Sequence, residues 1–284
     1  MTYFGFLLRF LGIPIVVLSI VAFFDGRRGR RIPDRLRAFP FAAATALHVA
    51  LAVLYTTPWD NYLVATGVWT YNPVLVTGIT IGWVPIEEYT FFVVQTILAG
   101  LWLLYLVRRT SPGVSEVALR PRWRWGPVIV LAPVWAAAVG IVLVEWRPGT
   151  YLGLELGWAL LPIMLQLAFG GDIIRRFGRL VLISVLGMTA YLSAADFVAI
   201  GSGTWSISAN QSLHVLIAGV LPLEEVMFFL LTNTLITFGV TLLISQEGVA
   251  RGRRLLRYVR AAWAHRRAGS KAAISYNTPF ATGI

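Results

Sequence analysis

Seven long apolar runs, parted by short polar or arginine-rich stretches, constrain this 284-residue chain more than any other feature. They lie at roughly 2–24, 38–57, 74–107, 127–145, 152–170, 179–199 and 211–245, each close to or above the ~20 residues that carry a helix across a hydrocarbon core. With 57% hydrophobic and 13% charged residues, the expected fold class is an all-α polytopic membrane protein with seven transmembrane helices. The first run lacks a basic leader, and Arg27, Arg28, Arg30 and Arg31 follow it in place of a small-residue cleavage site, so it is read as a retained first span.

The +11 net charge is arranged for topology, not for nucleic acid. Arginines crowd the connections after spans one, three and five and the tail after span seven, whereas those after two and six hold neither Lys nor Arg. The positive-inside rule then predicts an N-terminus outside and a C-terminus in the cytoplasm, in a multi-pass protein of the cell membrane. The tail mixes Arg251, Arg253, Arg254, Arg257 and Arg260 with Leu255, Leu256, Tyr258 and Trp263, which suits a helix lying on lipid headgroups. Residues 268–284 are expected to be disordered.

Two of the runs contain adjacent pairs of carboxylates where an apolar segment has little reason to hold them. Residues 85–92 read PIEEYTFF and residues 222–229 read PLEEVMFF. The likeness continues outward: Asp60 precedes Trp69 as Asp196 precedes Trp205, Gly82 precedes Pro85 as Gly219 precedes Pro222, and Pro14-Ile15 is echoed by Pro162-Ile163. Spans one to three thus match spans five to seven around a spacer. The expected organisation is a first three-helix repeat over 1–110, a loop and spacer helix over 111–148, a second repeat over 149–245, and a basic tail over 246–284. An odd spacer makes the repeats parallel, related by a pseudo-twofold axis along the membrane normal.

At about 100° per residue, Glu87, Phe91, Gln95, Glu88, Phe92 and Thr96 share one arc of a helix, and Glu224, Phe228, Thr232, Glu225, Phe229 and Asn233 share the matching arc. Proline followed by glutamates is also an ordinary helix start, where carboxylates complement the dipole. An ionised carboxylate at mid-membrane costs about 2.5–3.5 kcal/mol, however, and a helix start does not require two. The four glutamates are therefore the candidate catalytic residues. Phe91, Phe92, Phe228, Phe229, Gln95 and Asn233 are candidate substrate contacts. Trp69, Trp205, Asp60 and Asp196 join them as a cap over the cavity, the aspartates being read as turn or cap residues just outside the membrane. Asp25 and Asp172 read as partners of the neighbouring arginines, and His48 and His214 as satisfied core or interface histidines.

No dinucleotide fingerprint, phosphate loop, aspartate-rich diphosphate box or HExxH motif is present, cysteine is absent, and the single lysine, Lys271, lies in the tail. No cofactor and no metal are expected. Carboxylic acids and aromatic faces are left to do any chemistry.

The doubled PxEE-x-x-FF stretch, the PWDNYLVATGVW segment at 58–69 and the seven-span plan resemble the integral-membrane lycopene cyclases of carotenoid biosynthesis, over roughly residues 1–245. The resemblance implies an isomerase that protonates a terminal double bond of lycopene, lets the tertiary cation close a β-ionone ring, and removes a ring proton. It implies lycopene or a related linear carotenoid as substrate, with membrane lipid and other carotenoid-pathway enzymes as partners. Glu87 and Glu224 are the preferred acids, with Glu88 and Glu225 as partners or bases. Two other readings stay open: a SWEET-type proton-coupled transporter with the same three-plus-one-plus-three plan, and a cyclase or hydratase acting on C50 carotenoids.

Overall fold

A computed structural model describes residues 1–109 and 119–276, with side chains to 263. Seven of its helices are long and apolar enough to span a bilayer, so the chain is a multi-pass membrane protein. They are α1 (Tyr3–Arg27), α2 (Phe41–Ala65), α3 (Ile86–Arg109), α4 (Arg122–Leu143), α5 (Thr150–Arg176), α6 (Gly178–Gly201) and α7 (Leu223–Ile244). The Thr2 hydroxyl caps α1 by accepting the Gly5 N–H at 3.2 Å, and a π-helical turn at Leu7–Gly12 follows. Pro58 does not stop α2, which runs on through Asp60 to Ala65.

α3 and α7 touch each other at the centre. α1 and α2 pack on α3, α5 and α6 on α7, while α2 also reaches α7 and α6 also reaches α3. α4 lies outside this arrangement against α5. Gly153 permits that close approach, because a Cβ there would sit 3.0 Å from Val142 Cγ2 and 3.1 Å from the Ala138 carbonyl. In water such a bundle would expose a broad apolar surface. In lipid the inner contacts are van der Waals packing and buried hydrogen bonds.

The stretches that lead into α3 and α7 are not helical. β1 (Trp69–Tyr71) pairs antiparallel with β4 (Trp205–Ile207), with Thr70 opposite Ser206. β2 (Thr80–Ile81) and β3 (Val84–Pro85) form a hairpin before α3, and β5 (Leu216–Ile217) and β6 (Leu221–Pro222) form one before α7. Gly82 and Gly219 turn these hairpins at φ +67° and +74°, a region that suits glycine. The second turn holds one residue more, which accounts for the change of spacing between the Trp69/Trp205 and Pro85/Pro222 matches.

The same bonds recur in both halves. Tyr3 N–H donates to the Leu75 carbonyl at 2.8 Å, and Tyr151 N–H to that of Gln211 at 2.9 Å. Ile86 N–H reaches the Ile79 carbonyl as Leu223 N–H reaches that of Val215, both at 2.9 Å. Tyr55 donates to the Trp158 carbonyl and Tyr191 to that of Phe10, again at 2.9 Å.

At the arginine-rich end, Arg109 clamps Asp25 with two bonds of 2.5 and 2.9 Å, and Arg30 adds a third contact at 3.4 Å. Asp172 finds its partner in Arg251 of α8 (Gln246–Tyr276), at 2.7 Å to each oxygen, and not in the adjacent Arg175 or Arg176. α8 runs helically where disorder is expected from 268, through Tyr276; residues 277–284, and 110–118 of the expected loop, lie outside the described residues.

Candidate active site

Both arcs turn inward: every one of their twelve side chains is buried. Gln95 Nε2 donates to Thr232 Oγ1 at 3.1 Å, tying α3 to α7 at their contact. Phe228 and Phe229 pack edge to face at 5.3 Å, and Phe91 approaches Phe229 at 6.4 Å.

The two members of each glutamate pair have separate surroundings. Glu87 accepts the Thr77 N–H at 2.7 Å and Glu224 the Leu213 N–H at 2.6 Å, so each pins the loop before its hairpin to a helix start. Neither lines the central cavity. A backbone amide takes Oε1 of each, while Oε2 of each is buried with no hydrogen-bond partner among the described residues. The following residue, about 100° further round, is the one in the cavity wall.

That cavity, of about 30 Å³, has Glu88 and Glu225 in its wall together with Tyr3, Tyr71, Asp196, Trp69, Trp205, Phe91, Phe228 and Phe229. Glu88 Oε2 accepts two phenol hydroxyls, from Tyr3 at 2.5 Å and Tyr71 at 3.0 Å. Burial of its hydroxyl, followed by the nearby Glu88, Asp60 and Tyr3, holds the Tyr71 phenol well above its usual pKa, so Tyr71 remains a donor. Glu225 Oε1 accepts one phenol hydroxyl, from Tyr151 at 2.8 Å, and Asp196 shares the same cavity wall, its Oδ2 buried without a hydrogen-bond partner among the described residues. No lysine or arginine lines the cavity.

The aspartates are not turn residues. Asp60 lies in α2 and Asp196 in α6, both completely buried. Asp196 accepts the Trp205 indole N–H at 2.9 Å, so this half holds the expected aspartate–tryptophan bond. Asp60 has no hydrogen-bond partner among the described residues, and neither has the Trp69 indole N–H. Trp69 packs edge-on against Trp59 and Tyr151 instead, at 5.6 and 5.7 Å. His48 is buried with Nδ1 2.8 Å from the Ala44 carbonyl, as a satisfied core histidine should be. His214 is exposed in the loop before β5 at φ +59° and is not a core residue.

Four contributors went unmarked in the sequence. Tyr3 and Tyr151 stand at equal distances before the matched Pro14 and Pro162, so extending the repeat to the chain start would have found them. Tyr71 has Ile207 at its matched position and gives no repeat signal. Glu155 is wholly buried in α5 beside Tyr151 and Glu225, with no hydrogen bond to either carboxylate oxygen. Its match in the first half is Leu7, so comparing the halves hides it.

A second, larger cavity of about 250 Å³ lies between α2, α3, α5 and α7, with Phe92, Gln95, Thr232, Trp158 and Tyr55 among its walls. Phe228 lines both cavities and so separates them by one ring. Among the described residues no group of His, Cys, Asp and Glu is arranged to hold a metal ion.

No protein-family model matches the chain. No solved structure matches it either. Among curated proteins, a lycopene beta-cyclase of Halobacterium salinarum is 38% identical over 241 residues, covering 85% of this chain and 95% of the relative. Bifunctional lycopene cyclase/phytoene synthases of Sporisorium reilianum and Podospora anserina are 36% and 33% identical, over 70% and 68% of this chain and about a third of their own length. A relative of this identity matched along nearly its whole length, together with two buried carboxyls in one aromatic cavity, decides the relationship: the chain belongs to the lycopene cyclase family.

Proposed function

We infer that this chain cyclises the linear ends of lycopene to β-ionone rings, an isomerisation within carotenoid biosynthesis. Family membership does not favour the transporter or the C50 cyclase or hydratase. The observation that carries the mechanism is that Glu88 and Glu225, one from each central helix, line a single aromatic cavity.

One carboxyl acts as acid and the other as base. Glu225, with one phenol donor and the Asp196 carboxyl in the same cavity wall, suits the acid, because neighbouring buried carboxyls disfavour a second negative charge. Glu88, which accepts two phenol hydroxyls on one oxygen, suits the carboxylate that takes the proton back. Glu225 gives its proton to the terminal double bond. The tertiary cation is attacked by the next double bond, closing the six-membered ring, and Glu88 removes the proton that leaves a ring double bond. Proton gain and loss cancel, and no electrons are transferred. Phe91, Phe228 and Phe229 offer ring faces to the cation, an attraction of about 2 kcal/mol or more once desolvated. Glu87 and Glu224 hold the lead-in loops, and Trp69 and Trp205 complete the walls; Asn233 lies outside them, donating to Thr189 Oγ1 at 3.4 Å.

The proposed architecture is two parallel three-helix repeats, 1–110 and 149–245, joined by the spacer region 111–148 and followed by the tail 246–284. The recurring hydrogen bonds and the pairing of Thr70 with Ser206 support it. The arginine distribution supports an N-terminus outside and a C-terminus in the cytoplasm, in the cell membrane, with lipid and other carotenoid-pathway enzymes as neighbours. The cysteine-free chain makes this easy to test: a single cysteine at Thr2 should react with an impermeant reagent from outside intact cells, and labelling only after lysis would reverse the orientation.

For the reaction, the chain is expressed in lycopene-accumulating cells and the pigments are separated by chromatography. Monocyclic and bicyclic carotenes are expected. Unchanged lycopene beside well-expressed protein would refute the assignment.

A further inference from the structure

The larger cavity is open on one side of the bundle and closed on the other, although both sides derive from matched helices. On the open side α2 contributes Ala52 and Thr56 to the wall, and the exposed Leu51 and Tyr55 stand at its lipid-facing edge. α2 and α5 meet there through the stack of Tyr55 on Trp158, at 5.5 Å, and through the Trp59 N–H to the Leu154 carbonyl, at 3.1 Å. On the matched side, α6 carries Met188 where α2 has Ala52 and Leu192 where α2 has Thr56. Both are buried, Leu192 at 1% exposure, so the space that is empty beside α2 is filled beside α6. These two exchanges are among the differences that distinguish the open groove from the packed side.

Resting on the lycopene cyclase reading, we propose that the α2–α5 groove is the binding site for the polyene chain of the substrate, which enters sideways from the bilayer and pushes one end past Phe228 into the Glu88–Glu225 cavity. Three observations point to this occupant. The groove's mouth lies on a membrane-facing surface, where a substrate that dissolves only in lipid must arrive. Its volume of about 250 Å³ comes close to the lower end of the range of about 300–1,000 Å³ typical of ligand sites. It abuts the acid cavity across a single shared ring, so a linear molecule that displaces Phe228 can have its end at the carboxyls and its body in the groove. Phe92, Trp158 and Tyr55 give the conjugated chain aromatic faces, and Gln95 and Thr232 satisfy one another in part through the bond from Gln95 Nε2 to Thr232 Oγ1. The α1–α6 face, filled by Met188 and Leu192, admits no second chain.

The test transplants one half's solution into the other. The double variant Ala52→Met/Thr56→Leu fills the groove with the side chains that α6 already uses, and the mirror variant Met188→Ala/Leu192→Thr loosens the closed side. Both are compared with wild type for lycopene conversion in membranes, with equal amounts of protein confirmed after detergent extraction. The groove variant is expected to lose at least about tenfold in conversion, and the mirror variant to stay within about threefold. A photo-crosslinking residue in place of Leu51 is expected to capture carotenoid in wild-type background, whereas one at Leu186, on the lipid face of α6, is not. This second measurement does not depend on how the filled variant folds. A groove variant with wild-type turnover, or crosslinking at position 186 but not at 51, overturns the proposal while leaving the cyclase reading intact. A wild-type chain that leaves lycopene unchanged fails the cyclase reading itself, and the proposal with it.

Discussion

The two halves present matched glutamates to one cavity in unlike company. Glu88 is held by two tyrosine hydroxyls, Tyr3 and Tyr71. Glu225 is held by one, from Tyr151, and has the carboxyl groups of Asp196 and Glu155 beside it. The difference comes from two substitutions within the repeat, Tyr71 against Ile207 and Leu7 against Glu155. Donors collect around one carboxyl and acids around the other. Under the proposed mechanism, this difference between the halves is what lets one carboxyl serve as base while the other serves as acid.

The sharpest way to break this comparison is to remove each carboxyl in turn. Glu225→Gln is expected to lower cyclisation by about 10²–10⁴-fold, the usual share of a general acid, and to leave lycopene otherwise untouched. Glu88→Gln should cost a similar factor but still permit protonation, so hydrated or misplaced-double-bond products should appear on the chromatogram. Identical clean inactivity in both variants would remove the assigned difference. Next in size are the phenols. Tyr71→Phe deletes one bond to a charged group, worth about 1.5–3 kcal/mol, and should slow turnover by roughly 10–100-fold. Ile207→Tyr in the other half is expected to bring no matching gain, and an equal effect of the two would argue for interchangeable sites.

Glu155→Leu copies the first half's residue into the second. Replacing a buried carboxyl without hydrogen bonds should raise the melting temperature in detergent, while conversion falls by about tenfold or less; higher activity would show that Glu155 plays no part in the acid's surroundings. The smallest effect is expected at Glu87→Gln and Glu224→Gln. Glutamine keeps an oxygen for the Thr77 or Leu213 N–H, so activity should stay within about threefold. Losses as deep as those at positions 88 and 225 would return the outer glutamates to the chemistry.

Much of this was readable in the chain because the bilayer leaves so few structural options. Backbone groups in lipid must be bonded within the segment, so apolar runs such as 127–145 become helices, and the arcs carrying Glu88, Phe92, Glu225 and Phe229 follow from helical period alone. The repeat, too, is written in the chain, down to Gly82 and Gly219. The end of α2 was less legible, because an apolar run that stops at 57 does not reveal a helix that continues through Pro58 and buries Asp60.

What the sequence determined by itself is the set of chemical groups: four glutamates, aromatic rings, no cysteine and no lysine outside the tail, borne on seven apolar helices. Only the tertiary structure decided which glutamate of each pair meets the cavity. Adjacent residues differ by about 100° on a helix, and the hairpins that precede α3 and α7 bring backbone amides to Glu87 and Glu224, turning Glu88 and Glu225 inward. Tyr3, Tyr71, Tyr151 and Glu155 belong to the same class of decision. They lie as much as 85 positions from the carboxyl they touch, and such contacts depend on how helices pack across a bundle, not on any pattern along one of them.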